Sequence, residues 1–290
     1  MSAIEQEVAS QPGVWRQASA LAAGAPLPPH GSRLAVAGCG TSLFIAQSYA
    51  AAREAAGLGE TDAFAASEYP AARRYDHVLA LSRSGTTTEV CDLLRALPAG
   101  TPTVAVTAVA GSPVDELAGD SVLLPFADER SVVQTRFATS ALVLLLAHLG
   151  LDTTAAVADA ERVLNEPLPL DPAAFRRFQF LGRGWTVGLA SEAALKLREA
   201  AQAWSEAYPA MEYRHGPIAL ADEDTAVVAI GALDPALAAD VRATGATLID
   251  SGAHPLATLV AAHRMAIRLA EVRGLDPDSP RNLTRSVVLP

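Results

Sequence analysis

The segment Ser82-Arg-Ser-Gly-Thr-Thr-Thr88 concentrates five hydroxyl side chains around one glycine and one arginine. It follows the apolar stretch Val78–Leu81 and leads into a helical pattern, so we expect it at a strand-to-helix turn. Hydroxyls, backbone amides and a guanidinium at such a turn are suited to binding a phosphate monoester. The alternative is an ordinary serine–threonine helix cap, but capping explains one hydroxyl well and five poorly.

A second strand-to-helix turn, Gly38-Cys-Gly-Thr-Ser42, follows the apolar stretch Leu34–Ala37. Doubly wound sheets bind their ligands at the carboxyl ends of strands, where free amides face a helix N-terminus. A dinucleotide-binding fold would require a third glycine where Leu43 stands. The turn is therefore predicted to assist phosphate binding and not to bind a dinucleotide.

Glu192, Lys196 and Glu199 are spaced four and three residues apart, which places all three on one face of a helix. Lys196 is the only lysine among the 22 basic residues, and the other 21 are arginines. A lysine differs from an arginine mainly in its tunable pKa and its nucleophilic amine, so this lysine is a candidate for chemistry. A surface ion pair is the alternative that spacing alone leaves open.

The composition limits the classes of function. A net charge of −10 argues against a general nucleic-acid surface, because such binding depends on clustered lysines and arginines. The longest apolar run is too short to cross a bilayer and the first residues carry acids, so we expect a cytoplasmic protein without membrane contact. The two cysteines, Cys39 and Cys91, form neither a disulfide framework nor a metal-ligand spacing, so we expect no metal and no cofactor.

Short apolar stretches alternate with alanine-rich helical patterns along all 290 residues. This alternation predicts parallel sheets in an α/β fold, and the length suggests about two domains. The predicted strands are Leu34–Ala37, Val78–Leu81, Thr103–Val106, Ser121–Leu124, Phe178–Leu181, Thr225–Ile230 and Ala246–Ile249.

The segment from Leu151 to Pro172 is predicted to be a short amphipathic helix followed by a proline-rich stretch, which is typical of a linker. The boundaries predicted from it are a first unit at 1–150 with an N-terminal helix and the phosphate site, a linker at 151–172 and a second unit at 173–290. Leu34–Ser42 and Phe178–Thr186 are both an apolar strand, a Gly-x-Gly turn and a hydroxyl, which indicates internal duplication.

Gly-Cys-Gly-Thr-Ser together with Ser-x-Ser-Gly-x-Thr resembles the paired phosphate signatures of the sugar-isomerase (SIS) family. The resemblance implies two tandem doubly wound, flavodoxin-like units that bind a phosphorylated sugar or amino sugar between them. By that match the residues around the phosphate would be Ser42, Ser82, Arg83, Ser84 and Thr87. The residues that line the sugar pocket would be Cys39, Gly40, Thr41, Glu129, Val132, Thr135 and Arg285.

From Leu181 to Leu220 the chain is similar to the isomerase domain of glucosamine-6-phosphate synthases, a member of the family, and the resemblance extends more thinly over the whole chain. It implies that Glu199 is the general base that carries a proton between C1 and C2. It also implies that His215 helps to open the sugar ring and reaches the site of a neighbouring subunit, which makes the protein a homodimer. Lys196 would lie beside the base, and Glu212 would be an orienting residue.

Two departures from the family pattern shape the expected activity. Position 2 is Ser2, where the glutamine-using synthases have a catalytic cysteine, so no glutaminase activity is expected. In the tail Pro280-Arg-Asn-Leu-Thr-Arg-Ser-Val-Val288, Arg285 stands where the family has a lysine that forms an imine with the open sugar. A guanidinium cannot form that imine.

The expected activity is therefore that of an aldose–ketose isomerase or amino-sugar-phosphate deaminase acting on a hexose- or hexosamine-6-phosphate without a metal. Two alternatives remain open at this point. One is a deglycase that splits a phosphorylated sugar–amino acid adduct, and the other is a sugar-phosphate sensor without turnover.

Overall fold

Two parallel sheets organise the protein, and the computed structural model describes residues 1–289. The first sheet contains β1 (Leu34–Gly38), β2 (Thr61–Ala65), β3 (His77–Leu81), β4 (Thr103–Thr107) and β5 (Asp120–Leu123). The second contains β6 (Arg177–Gly182), β7 (Trp204–Pro209), β8 (Thr225–Ile230) and β9 (Thr247–Ile249). All neighbouring strands in both sheets run parallel.

Helices connect these strands. They are α1 (Ala3–Leu21), α2 (Thr41–Ala55), α3 (Thr88–Ala96), α4 (Pro113–Leu117), α5 (Arg136–His148), α6 (Thr154–Asn165), α7 (Thr186–Ala201), α8 (Pro235–Ala243) and α9 (Pro255–Val272). Within residues 1–289, no helix is both long enough and apolar enough to cross a bilayer. Ten consecutive residues of α5, from Phe137 to Leu146, are buried, so this helix is a core element.

The strand orders are β2-β1-β3-β4-β5 in the first sheet and β7-β6-β8-β9 in the second. The first is the flavodoxin-like order of a doubly wound sheet, and the second repeats it without the last strand. The predicted fold class, two flavodoxin-like parallel-sheet units in an α/β protein, is confirmed. The shared order supports an origin by internal duplication.

The seven predicted strands are present with every boundary within one residue of its predicted position, and two further strands were not predicted. Every residue of β1 and of β8 is buried, as expected for strands covered on both faces. The missed strands, β2 and β7, lie at the edges of their sheets and are only partly buried. Asp62 in β2 and Glu206 in β7 interrupt the apolar pattern that predicts the other seven strands.

The last glycine of the first strand in each unit lies unusually close to the helix that follows. A side chain at Gly38 would place its Cβ 2.7 Å from the Cβ of Ser42, and one at Gly182 would place it 2.3 Å from the carbonyl oxygen of Thr186. Only a residue without a Cβ fits such contacts. Both turns therefore bring a helix N-terminus directly against the strand end, where a ligand of a doubly wound sheet binds.

Contacts group the chain into two units that each combine distant segments. The first unit contains residues 13–129, 134–153 and the end of the chain from Thr284. The second unit contains residues 1–12, 130–133 and 154–283. This grouping differs from boundaries drawn along the sequence, because the helix of the predicted linker, α6, packs on α9 of the second unit.

Candidate functional site

The loop between β3 and α3 belongs to the first unit and holds the hydroxyl-rich segment. Ser82, Arg83 and Ser84 are buried, with exposures of 3%, 1% and 7%. Ser82 Oγ accepts a hydrogen bond from the amide of Gly85 at 3.2 Å, and Ser84 Oγ accepts one from the amide of Thr86 at the same distance. We name the side-chain hydroxyls of Ser82, Ser84, Thr86 and Thr87 the hydroxyl nest.

The nest is not a set of helix caps. Thr87 occupies the N-cap position of α3, and its side chain makes no capping hydrogen bond. The hydroxyls instead contact one another: Thr86 Oγ1 donates to Ser84 Oγ at 3.1 Å, and the oxygens of Ser82 and Thr87 lie 3.5 Å apart. Capping, the alternative interpretation of this segment, therefore does not explain the cluster.

The turn between β1 and α2 contributes the other predicted phosphate residue. Ser42 is 5% exposed and lies in the first turn of α2, after Gly40 at the N-cap position. Thr41 is buried beside it, and Cys39 is partly buried. Buried hydroxyls therefore gather at the start of α2 as they do after β3, at the strand-to-helix turn where the sequence predicted them.

Neither cysteine has the character of a reactive thiolate. Burial raises the pKa of the Cys39 thiol, and burial also raises that of Cys91, so both thiols are protonated at neutral pH. Among residues 1–289, no three histidine, cysteine, aspartate or glutamate side chains converge in a way that could hold a metal ion.

Glu129 forms a buried ion pair with Arg83, whose Nη1 lies 3.6 Å from Glu129 Oε2. The other carboxylate oxygen accepts hydrogen bonds from the amide of Thr135 at 2.6 Å, from its hydroxyl at 2.9 Å and from the amide of Arg136 at 2.8 Å. Two predicted sugar-pocket residues, Glu129 and Thr135, thus contact each other directly. Another predicted sugar-pocket residue, Val132, belongs to the second unit and donates its amide to the carbonyl of Asp278 in that unit.

Arg285 lies in the chain end that belongs to the first unit. Its guanidinium forms an ion pair with Asp128 at 2.5 Å and donates to the carbonyl oxygen of Glu129. The backbone carbonyl of Arg285 accepts a hydrogen bond from Arg83 at 2.8 Å. The residue that stands in place of the family's lysine therefore anchors the chain end to the loop that contains Glu129.

Helix α7 of the second unit carries the acid–amine cluster. Lys196 Nζ lies 2.5 Å from Glu199 Oε2 and 3.4 Å from Glu192 Oε1. The side chains of Lys196 and Glu192 are each 1% exposed, whereas that of Glu199 is 19% exposed. The interpretation as a surface ion pair is wrong, because α7 packs between its sheet and α9 and buries the amine.

Glu199 also lines an open groove of about 430 Å³ within the second unit. Two arginines lie on the groove wall, Arg198 on α7 and Arg281 nearer the end of the chain. The remaining lining residues are Leu195, Gln202, Ala203 and Leu283. The groove therefore combines one accessible carboxylate and two guanidinium groups with mostly apolar side chains.

His215 ends a short 3₁₀ helix, Ala210–His215, and is exposed. The helix is anchored by Tyr213, which is buried and donates its hydroxyl to Gln179 at 2.5 Å. Burial raises the pKa of Tyr213 to about 12, so it remains a donor at neutral pH. Within residues 1–289, no hydrogen bond or ion pair joins His215 to Lys196 or Glu199, and its role stays a prediction.

Two features near these residues escaped sequence reasoning. His263 on α9 is fully buried, its Nδ1 lies 3.3 Å from Gln11 Nε2, and Lys196 acts on it electrostatically. Ser286 contacts the hydroxyl nest from the end of the chain. A histidine within an apolar helix and a serine in a short tail carry no local signal, so only their neighbours in space identify them.

Comparison with known proteins points to one family. Residues 174–240 match the family model described as the SIS domain. An isomerizing glutamine–fructose-6-phosphate aminotransferase of Nostoc sp. is 36% identical over an alignment of 160 residues that covers 45% of this chain and 26% of that protein. The enzyme of the same name from Methanothermobacter thermautotrophicus is 30% identical over an alignment of 276 residues that covers 79% of this chain and 47% of that enzyme.

The chain thus aligns with about half, or less, of these curated relatives. Among solved structures, a glucosamine-6-phosphate deaminase from Thermotoga maritima superposes with a TM-score of 0.85 at 24% identity. The match covers 99% of this chain and 100% of that one, and at this identity it shows a shared fold. The matched domain, the sequence relatives and the two flavodoxin-like sheets agree, and the chain belongs to the SIS domain family.

Proposed function

We propose that the protein is a phosphosugar isomerase or amino-sugar-phosphate deaminase that moves a proton between C1 and C2 of a hexose- or hexosamine-6-phosphate. The observation that carries the proposal is the α7 cluster: a buried amine between two carboxylates, of which only Glu199 is accessible. Proton transfer between adjacent carbons needs one carboxylate poised over both, and Glu199 has the accessibility for that role. The names of the relatives, which contain fructose-6-phosphate and glucosamine-6-phosphate, support the substrate class.

The hydroxyl nest is proposed to bind the substrate phosphate. Ser82, Ser84 and Thr87 provide donors at the start of α3, and Ser42 adds one from the neighbouring turn. Arg83 lies in the same loop, where its guanidinium forms a buried ion pair with Glu129. Neutral donors at a helix N-terminus bind a phosphate dianion by charge-assisted hydrogen bonds, without a surplus of cations.

Lys196 is proposed as a charged partner that orients Glu199 and does not form an imine. Its ammonium donates a hydrogen bond to Glu199 and forms an ion pair with Glu192, so both carboxylates favour its charged form. Glu192 balances the buried charge of Lys196, and Glu199 can then exchange a proton with the sugar while the amine stays cationic. His215 is proposed to assist ring opening in a partner subunit, because it is exposed and separate from the α7 cluster.

The groove beside Glu199 favours a second candidate, the splitting of a phosphorylated sugar–amino acid adduct. The base must touch C1 and C2, and the amine of such an adduct sits on one of these carbons. A substituent on that nitrogen therefore lies next to Glu199, and Arg198 and Arg281 on the groove wall could bind its carboxylate.

One panel of substrates tests both candidates. Glucose-, fructose- and glucosamine-6-phosphate and a fructosamine-6-phosphate of an amino acid are incubated with the protein, and ketose, ammonia and free amino acid are measured. Ketose or ammonia supports the isomerase or deaminase, whereas release of free amino acid supports the adduct-splitting reaction. No product from any of the four would refute the proposed activity.

A further inference from the structure

The last residues of the chain lie along the hydroxyl nest. We name residues 284–289 the tail. The carbonyl of Val287 accepts a hydrogen bond from the amide of Thr88 at 3.1 Å, and the amide of Leu289 donates to Thr88 Oγ1 at 2.9 Å. The tail is therefore attached to the first turn of α3, at the point where the nest ends.

Ser286 places its hydroxyl among the hydroxyls of the nest. Its Oγ lies within hydrogen-bond distance of Thr86 Oγ1 at 2.9 Å and of Ser84 Oγ at 3.1 Å, and it lies 3.5 Å from Thr87 Oγ1. Three nest hydroxyls thus surround one hydroxyl that comes from a segment about 200 residues later in the sequence.

The backbone on both sides of Ser286 is held in place. The carbonyl of Arg285 accepts from Arg83, and the carbonyl of Val287 accepts from the amide of Thr88. The guanidinium of Arg285 is bound to Asp128 and to the carbonyl of Glu129. Because both neighbours are fixed to the loops around the nest, the Ser286 hydroxyl has a defined position there.

We propose that Ser286 is a phosphate-binding residue that the tail adds to the nest. This inference rests on the proposed function, since it assigns one more ligand to the same phosphate. A hydroxyl can donate only one hydrogen bond. Without a ligand, the hydroxyls of the nest and of Ser286 donate to one another. A phosphate group offers three anionic oxygens as acceptors, so each hydroxyl can exchange a neutral hydrogen bond for a stronger charge-assisted one.

The arrangement couples the tail to the substrate. When Ser286 donates to the phosphate, the ligand adds one more contact to a tail that Arg83 and Thr88 already hold at the residues on either side. Free sugar without a phosphate makes no contact with Ser286. Binding of the phosphate should therefore order the tail, and loss of the Ser286 hydroxyl should weaken only phosphorylated ligands.

The test compares Ser286→Ala with Val288→Ala, a tail control whose native side chain is 67% exposed. Binding of fructose-6-phosphate, inorganic phosphate and fructose is measured by calorimetry, together with the melting temperature of each ligand-free variant. Loss of one charge-assisted hydrogen bond should weaken the two phosphate ligands about ten-fold or more. Val288→Ala should leave both affinities within about two-fold, and Ser286→Thr, which keeps the hydroxyl, should retain most of the affinity.

Other outcomes overturn the inference. If Ser286→Ala binds phosphate ligands as tightly as the wild type, the hydroxyl only packs against the nest. If it binds them more tightly, Ser286 competes with the phosphate and does not help to bind it. Ser84→Ala separates this from a failure of the proposed function: if it weakens binding while Ser286→Ala does not, only the role of Ser286 is refuted. Wild type that binds neither phosphate ligand refutes the phosphate site itself.

Discussion

Glu192 and Glu199 share one lysine but differ in what they can reach. The side chain of Glu192 is 1% exposed and that of Glu199 is 19% exposed, although both belong to the same helix. The buried carboxylate of Glu192 lies 3.4 Å from the buried ammonium of Lys196, so we expect it to balance that charge. The partly exposed carboxylate is the one that can act on a substrate.

Glu199→Gln should leave sugar-phosphate binding within a few-fold and lower turnover by about 10²–10⁴, the range for loss of a general base. The amide keeps the size of the side chain but cannot accept a proton from carbon. Initial rates and calorimetric affinities measure the two effects separately, and Glu223→Gln at an exposed position is the matched control. Turnover at a third or more of the wild-type rate would exclude Glu199 as the base.

At the scale of elements, the packing of α7 against α9 determines the environment of Lys196. The contact buries Lys196 on one helix and His263 on the other. Burial lowers the pKa of His263 to about 3, and the positive charge of Lys196 acts in the same direction. The histidine is therefore neutral in the folded protein, with Gln11 beside its Nδ1.

Neutral burial of His263 predicts a stability that falls in acid. The unfolded chain binds a proton at this residue near its ordinary pKa of 6.5, whereas the folded chain does so only near pH 3. Stability from this group is thus fully present above about pH 6.5 and is lost as the pH falls toward 3, by up to ~1.4 kcal/mol per pH unit.

His263→Gln should reduce the loss of folding stability as the pH falls below about 6.5, because glutamine does not bind a proton in this range. Urea unfolding at several pH values between 5 and 8 gives the free energy of unfolding for the wild type, for His263→Gln and for His30→Gln at an exposed position. The inference about His263 fails if the wild type and His263→Gln lose stability in parallel as the pH is lowered.

At the scale of the whole molecule, two units with the same strand order place different side chains at their strand ends. The turn after β3 of the first unit carries the hydroxyls that we propose bind a phosphate, and α7 of the second unit carries the proposed general base. Internal duplication provides two equivalent strand ends, and only the side chains placed on them differ. His215 belongs to neither group, which is why its proposed function depends on a second copy of the chain.

Mixing two inactive variants tests the proposed homodimer. Glu199→Gln and His215→Ala are unfolded together and refolded in equal amounts, so that half of the dimers contain one of each. If His215 acts across the interface, one site of every mixed dimer is intact, and about a quarter of the wild-type activity should return. If both residues act within one chain, no activity returns, and a monomer on a sizing column would refute the dimer directly.

The fold could largely be predicted from the sequence, because buried parallel strands require apolar runs and these runs are visible locally. The strands β1, β3, β4 and β8 were found in this way, and so was the hydroxyl-rich turn after β3. The spacing of Glu192, Lys196 and Glu199 on one helix face follows from helix geometry alone. The strands β2 and β7 were missed, since Asp62 and Glu206 interrupt the apolar pattern within them.

What the tertiary structure decided depends on residues far apart in the sequence. The spacing of the α7 cluster fits a surface ion pair as well as a buried one, and only the contact with α9 shows that Lys196 is buried. Likewise Ser84 and Ser286 are 202 residues apart, and nothing local to either one indicates that their hydroxyls meet. Side-chain type and spacing are properties of a short segment, whereas burial and charge environment are set by whatever the folded chain brings against it.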